Sequence, residues 1–126
     1  MTVLPGIDLV ETARITRAIA QSGESFLRRV FTDAERAYCE SHARSAQSYA
    51  ARWAAKEAVA KALGCGIGEK ASLTEIEVTR EPNGQPRIQL HGTAAATAAA
   101  LNVQEVRVSL THTENYAAAF VVITAG

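Results

Sequence analysis

Residues Ser48–Gly64 read SYAARWAAKEAVAKALG, and how that stretch is taken decides the fold. At about 100° per position, Ala50, Trp53, Glu57 and Lys61 fall along one stripe of a helix, and Arg52, Lys56 and Leu63 along another, with alanines and Val59 filling the rest. A helix apolar nearly all round is normally a buried one. Four charges on it then need partners or a bound ion, because an isolated buried charge is very costly. The plainest reading is an i,i+4 pair between Glu57 and Lys61, worth about 0.2–0.5 kcal/mol. That pair leaves Arg52 and Lys56 unexplained, together with the large aromatic beside the acid.

Upstream of this helix, Thr2–Val10 reads as a strand with Pro5-Gly6 near its start. The two-residue period sends Ile7 and Leu9 one way and Asp8 the other, so Asp8 is either a solvent-facing edge residue or a displayed acid. Thr12–Gln21 follows as a helix with Ile15 and Ile19 on its inner face and Gly23 as its stop. Glu24–Val30 is a short amphipathic piece. Thr32 or Asp33 then caps a helix over Ala34–Ala43, with Thr32 and Glu35 in capping-box register. Arg14, Arg17, Arg28 and Arg29 make this first third locally basic, enough to receive an acidic helix of another protein.

Downstream, Gly64-Cys65-Gly66-Ile67-Gly68 matches neither the P-loop nor the dinucleotide fingerprint and reads as a helix stop. Leu73–Arg80 alternates as a half-buried strand. Pro82–Pro86 turns the chain, and Arg87–Leu90 returns it as a hairpin. An alanine-rich helix runs from Gly92-Thr93 to near Asn102. Glu105–Thr111 and the strongly apolar Tyr116–Thr124 are strands joined by His112-Thr113-Glu114-Asn115, which puts His112 at a strand end. This order predicts a single α+β domain over residues 1–126, a mainly antiparallel sheet covered by helices around one long central helix.

Composition narrows the function. The chain has 13 Lys and Arg against 13 Asp and Glu, a balance that argues against nonspecific nucleic-acid binding. The alanine run at 94–100 is far short of a membrane span, and the first residues carry no export signal, so a cytoplasmic location is expected. Cys39 and Cys65 give no disulfide framework. Cys39 and His42 stand three apart on a helix, but no second Cys/His pair completes a tetrahedral metal site.

Three segments together are specific in order and spacing: G-I-D at Gly6–Asp8, R-W-A-A-K-E-A-V-A-K-A at Arg52–Ala62, and S-L-T-H-T at Ser109–Thr113. In these the chain resembles the holo-acyl-carrier-protein synthases, the small 4′-phosphopantetheinyl transferases, and the turn Asn83-Gly84-x-Pro86 agrees. The resemblance implies magnesium-dependent transfer of phosphopantetheine from coenzyme A to a serine hydroxyl of an apo acyl carrier protein, with release of adenosine 3′,5′-bisphosphate. It implies Asp8 and Glu57 as metal ligands, with Glu57 also taking the serine proton. Lys61 would neutralise or protonate the leaving group, and is expected with Arg52, Lys56, His112 and the turn residues Asn83, Gly84 and Pro86 to contact coenzyme A. Arg14 and Arg28 would face the carrier protein. Small family members also imply a homotrimer with active sites between subunits. A magnesium-dependent coenzyme A pyrophosphate hydrolase and a noncatalytic carrier-binding trimer are the competing readings. Neither accounts for the two acids, the lysines and the strand-end histidine together.

Overall fold

The computed structural model describes residues 1–126. Its elements follow as β1 (Thr2–Glu11), α1 (Thr12–Val30), α2 (Asp33–Glu40), α3 (Ser45–Ala62), β2 (Ile76–Arg80), β3 (Pro86–Leu90), α4 (Gly92–Ala100), β4 (Val103–His112) and β5 (Tyr116–Ala125). The expected α+β class and element order hold. The five strands do not share one sheet, however. β1, β5 and β4 form an antiparallel three-stranded sheet in that order, while β2 and β3 pair only with each other.

β5 is central because it is the most continuously apolar strand: Ala117, Ala119, Val121, Ile123 and Ala125 point inward and are buried. Against that face lies α3, whose Ala50, Ala54, Ala55, Ala58, Val59 and Ala60 are completely enclosed. Small side chains let helix and sheet approach closely, and the approach is tightest at Gly6. A Cβ there would press into the carbonyl oxygen of Ala58 and stand 3.0 Å from the Cβ of Ala62. Only glycine lets β1 lie this close to the helix backbone.

Several boundaries move for identifiable reasons. α1 is interrupted at Gly23 (φ 48°, ψ −124°), which separates the two helical pieces expected there. The capping box forms in full, Thr32 Oγ1 accepting from the Glu35 amide and the Glu35 carboxylate accepting from the Thr32 amide, yet α2 ends at Glu40 rather than Ala43. β2 begins at Ile76, three residues late, because Ser72–Glu75 closes a turn in which the Glu75 carboxylate accepts from the amides of Ser72 and Thr93. α3 ends in the expected stop, with the amides of Cys65 and Gly66 returning to the Ala60 carbonyl and Gly64 at φ 83°.

β1 keeps the expected period, but its inner face is not the one its large apolar residues suggest. Leu4, Gly6, Asp8 and Val10 face α3, while Ile7 and Leu9 stand outside, 64% and 66% exposed. Asp8 is therefore turned into the molecule, its side chain 14% exposed.

The Gly6→Ala variant is expected to lose about 1–3 kcal/mol of stability through overpacking against α3, measured by urea unfolding. A wild-type unfolding midpoint would contradict the close approach.

Candidate active site

α3 is buried around most of its circumference, and the stripe Trp53, Glu57, Lys61 is where it reaches the surface. Each group on that stripe has a defined neighbour. The Trp53 ring stacks on Phe26 at 6.1 Å between centroids, with the Arg14 guanidinium 5.4 Å from its own centroid. The Lys61 ammonium does not pair with Glu57. It donates to Asp8 Oδ1 at 3.0 Å and to the Ile7 carbonyl at 3.1 Å, binding the end of α3 to β1.

Glu57 is left with no ion-pair partner. Burial pushes its carboxyl above the ordinary value, and the negative charge of Asp8 pushes the same way, opposed by Lys61 and Arg14. Two carboxylates from different elements thus face a common region, one anchored by lysine and one unpartnered. The expected convergence of Asp8, Glu57 and Lys61 is present, with Arg14 beside them.

The second stripe behaves differently at its two charges. Lys56, expected to hold a coenzyme A phosphate, is completely buried and reaches no solvent. Its ammonium donates to Glu35 Oε1 at 2.8 Å and to the carbonyls of Leu73 and Ile76 at 2.8 and 2.6 Å. All three of its protons are taken, so the phosphate role is withdrawn. Burial draws the ammonium below its ordinary value, and Glu35 opposes that. Glu35 also accepts from the Val78 amide through its other oxygen, which ties α2, α3 and the hairpin to one buried pair.

Arg52 does open onto a cavity. This space, about 680 Å³, lies between the end of α2, the start of α3, the hairpin and β4, within the usual size of a ligand pocket. Arg52, Pro86 and His112, three of the residues expected to contact coenzyme A, line it, joined by Arg44, Arg80 and His42. No aspartate or glutamate lines it. Arg52 is 3% exposed, its Nη1 donates to the Ser48 carbonyl and hydroxyl at 3.2 and 3.1 Å, and its Nε has no partner. Burial lowers its affinity for its proton, and nearby Arg80 lowers it further. Asn83 and Gly84 stand in the adjoining turn: Asn83 Oδ1 accepts from the Gln85 amide at 2.9 Å, and the Gly84 carbonyl accepts from the Arg80 guanidinium. Cys39 is fully buried while His42 is exposed, so that spacing makes no metal site.

The acid group and the basic cavity are distinct. None of Asp8, Glu57 and Lys61 lines the cavity, and five helical positions put Arg52 and Glu57 about 140° apart around α3. Arg28, expected like Arg14 to face a partner, is exposed on α1 and 4.0 Å from Glu24.

Sequence reasoning missed Glu35, taken only as a capping residue, although a lysine inside an apolar helix demands an acid somewhere. It also passed over Arg44 and Arg80, which carry no local pattern separating them from solvated charges.

Comparison with known proteins places this arrangement in a class of transferases. The description of the 4′-phosphopantetheinyl transferase superfamily matches residues 5–121. A holo-[acyl-carrier-protein] synthase of Moorella thermoacetica is 49% identical over 94% of this chain and 91% of its own; one of Ruminiclostridium cellulolyticum is 46% identical over 100% and 95%. The crystal structure of the Neisseria meningitidis holo-[acyl-carrier-protein] synthase superposes with a TM-score of 0.89 at 29% identity, covering 96% of this chain and 97% of that one. The Helicobacter pylori enzyme, solved in complex with coenzyme A, gives 0.86 at 32% identity, covering 96% and 100%. This chain belongs to the 4′-phosphopantetheinyl transferase superfamily.

Replacing Lys56 with methionine is expected to destabilise the fold by about 3–5 kcal/mol, since it strands the Glu35 charge. Adding Glu35→Leu should recover part of that loss in urea melts, and a double variant as unstable as the sum of the single changes would refute the pairing.

Proposed function

We propose that the chain transfers the 4′-phosphopantetheine group of coenzyme A to a serine hydroxyl of an apo acyl carrier protein, releasing adenosine 3′,5′-bisphosphate. The observation that carries this is the arrangement around α3: Glu57 and Lys61 on one stripe with Asp8 of β1 against them, and a carboxylate-free basic cavity on the other. Coenzyme A joins an adenosine bearing a 3′-phosphate to pantetheine through the diphosphate at which the chemistry takes place. It needs both a cationic seat and a reacting centre.

The donor set at the reacting centre fits magnesium. Two carboxylate oxygens of like charge, Glu57 being unpartnered, suit a hard cation that fills its other positions with water and phosphate oxygens. Asp8 and Glu57 would hold the ion, which supplies charge neutralisation at the diphosphate when bound.

This chain's own groups do the rest. Arg52, Arg80, Arg44 and His112 hold the nucleotide phosphates. The carrier serine oxygen attacks the phosphorus that bears pantetheine, and the bond from that phosphorus to the bridging oxygen of the nucleotide breaks. Glu57 takes the serine proton, directly or through water. Lys61 stands one turn further on, where its ammonium would neutralise the departing bisphosphate. Arg14, stacked beside Trp53 next to these groups, and Arg28 along α1 offer the carrier protein a basic approach.

Assembly belongs to the same reading. Ile7 pairs across from Phe120 on the outer sheet face, and with Leu9 and Tyr116 they leave an apolar surface in water. A contiguous patch of that kind marks an interaction site. Its occupants are further copies of the chain, arranged as a homotrimer in which the acid group of one subunit meets the basic cavity of its neighbour. The ligands are substrates of cytoplasmic biosynthesis, and no helix is long and apolar enough to cross a membrane.

Incubating an apo carrier protein with coenzyme A, Mg²⁺ and the protein should add the mass of one phosphopantetheine. Bisphosphate release that needs no carrier would instead indicate a hydrolase. Sedimentation should report three subunits, and a monomer at micromolar concentration would remove the shared site. Glu57→Gln should abolish transfer while leaving the metal-free fold as stable as wild type or more so. The sign follows from the raised carboxyl: its ionised form costs stability as pH rises through the folded value, and glutamine removes that cost. For Arg14→Glu, carrier KM should rise about tenfold or more, with coenzyme A binding unchanged.

A further inference from the structure

The basic cavity holds an aromatic ring that the transfer chemistry does not use. Tyr38, at the end of α2, has the Arg52 guanidinium 4.2 Å from its ring centroid and the Arg80 guanidinium 4.7 Å from the same centroid. Both distances lie within the range of cation–π attraction. The two cations come from elements far apart in sequence, α3 and the hairpin, and nothing acidic lines the cavity between them. Like charges gathered without a counter-charge tend to separate, and Arg80, exposed at the end of β2, has room to leave.

What holds the pair is visible. Arg52 is tethered through Nη1 to Ser48, with its Nε unpartnered. Arg80 is tethered by one nitrogen to the Gly84 carbonyl. These hydrogen bonds fix one end of each guanidinium, and both guanidiniums lie against the same electron-rich ring. The ring is itself held, packing against His42 at 4.4 Å between centroids while the Tyr38 carbonyl accepts from His42 Nδ1 at 2.8 Å.

We propose that Tyr38 is a positioning residue for substrate recognition, its ring holding Arg52 and Arg80 together so that the two guanidiniums close on one phosphate group of coenzyme A. This rests on the reading of the cavity given above. Two planar forks offer a phosphate several donors in fixed directions, which a single guanidinium cannot. The ring confers this without touching the ligand, so its removal weakens capture and leaves the chemical step intact.

Steady-state kinetics on the assembled enzyme tests the idea. Tyr38→Leu should raise the KM for coenzyme A roughly tenfold, with kcat within about twofold of wild type. Tyr38→Phe should restore the wild-type KM, since it keeps the ring and drops only the hydroxyl. Arg80→Gln, at an exposed position, should raise KM similarly, and combining it with Tyr38→Leu should add little. Should Tyr38→Leu fail to fold, pentafluorophenylalanine at position 38 keeps the shape while reversing the ring's charge distribution, and the same rise in KM is expected. Unchanged KM in the leucine or fluorinated variant, or Tyr38→Phe as impaired as Tyr38→Leu, overturns the proposal.

Dephospho-coenzyme A identifies the phosphate. If the pair serves the phosphomonoester, Tyr38→Leu leaves the KM for dephospho-coenzyme A unchanged; if it serves the diphosphate, both KM values rise together, and either result supports the positioning role. Calorimetry separates the two levels of failure. Wild-type protein that binds no coenzyme A refutes the reading of the cavity itself, whereas equal binding by wild type, Tyr38→Leu and Arg80→Gln refutes only the role of the ring.

Discussion

The closeness of strand β1 to helix α3 is the constraint on which the rest depends. Hydrogen at the Gly6 α-carbon, where any other residue carries a Cβ, lets the strand lie against the Ala58 carbonyl. Two residues on, that proximity brings Asp8 under the end of the helix, within reach of Lys61 and of the field of Glu57. The alanines of α3 and the inward alanines of β5 are the same device repeated. Small side chains give up individual apolar area, and in exchange carboxylates on separate elements are held at short range by backbone packing.

The buried Lys56–Glu35 pair does a different job. Desolvating two charges is expensive, and such a pair is weak evidence of net stability against an apolar replacement. It is strong evidence of which parts must meet. Lys56 reaches the Leu73 and Ile76 carbonyls, Glu35 reaches the Val78 amide, and Thr32 donates to Glu77 at 2.7 Å. These bonds pin the root of the hairpin to α2 and α3. The wall of the basic cavity thereby has a fixed origin although β2 and β3 share no ladder with the larger sheet.

Much of this was legible in the sequence because it is local. Periodicity gave the order of elements, Thr32 and Glu35 announced a helix start, and glycines marked the breaks at 23 and 64. The stripe with Trp53, Glu57 and Lys61 was legible as a group, and the structure shows it to be the side of α3 that reaches the surface. What escaped was set by partners distant in the chain. The inward turn of Asp8 follows from β1 meeting α3, and no pattern within Thr2–Val10 selects which face of that strand is covered. Lys56 and Arg52 share a stripe and a charge, yet one meets an acid from α2 and the other opens on a cavity. Splitting of the strands into two sheets depends likewise on how α3 and β4 fill the space beside the hairpin.

The separate hairpin has a mechanical consequence. Its root is clamped by the buried polar network, whereas its tip, Asn83 to Gln85, is exposed and held by its own turn and by the Arg80 guanidinium on the Gly84 carbonyl. Because no ladder joins the hairpin to the larger sheet, a change of shape at that tip breaks no bond of the sheet that carries Asp8. Drift in the tip's sequence would therefore reshape one wall of the basic cavity while leaving the strand that carries Asp8 undisturbed.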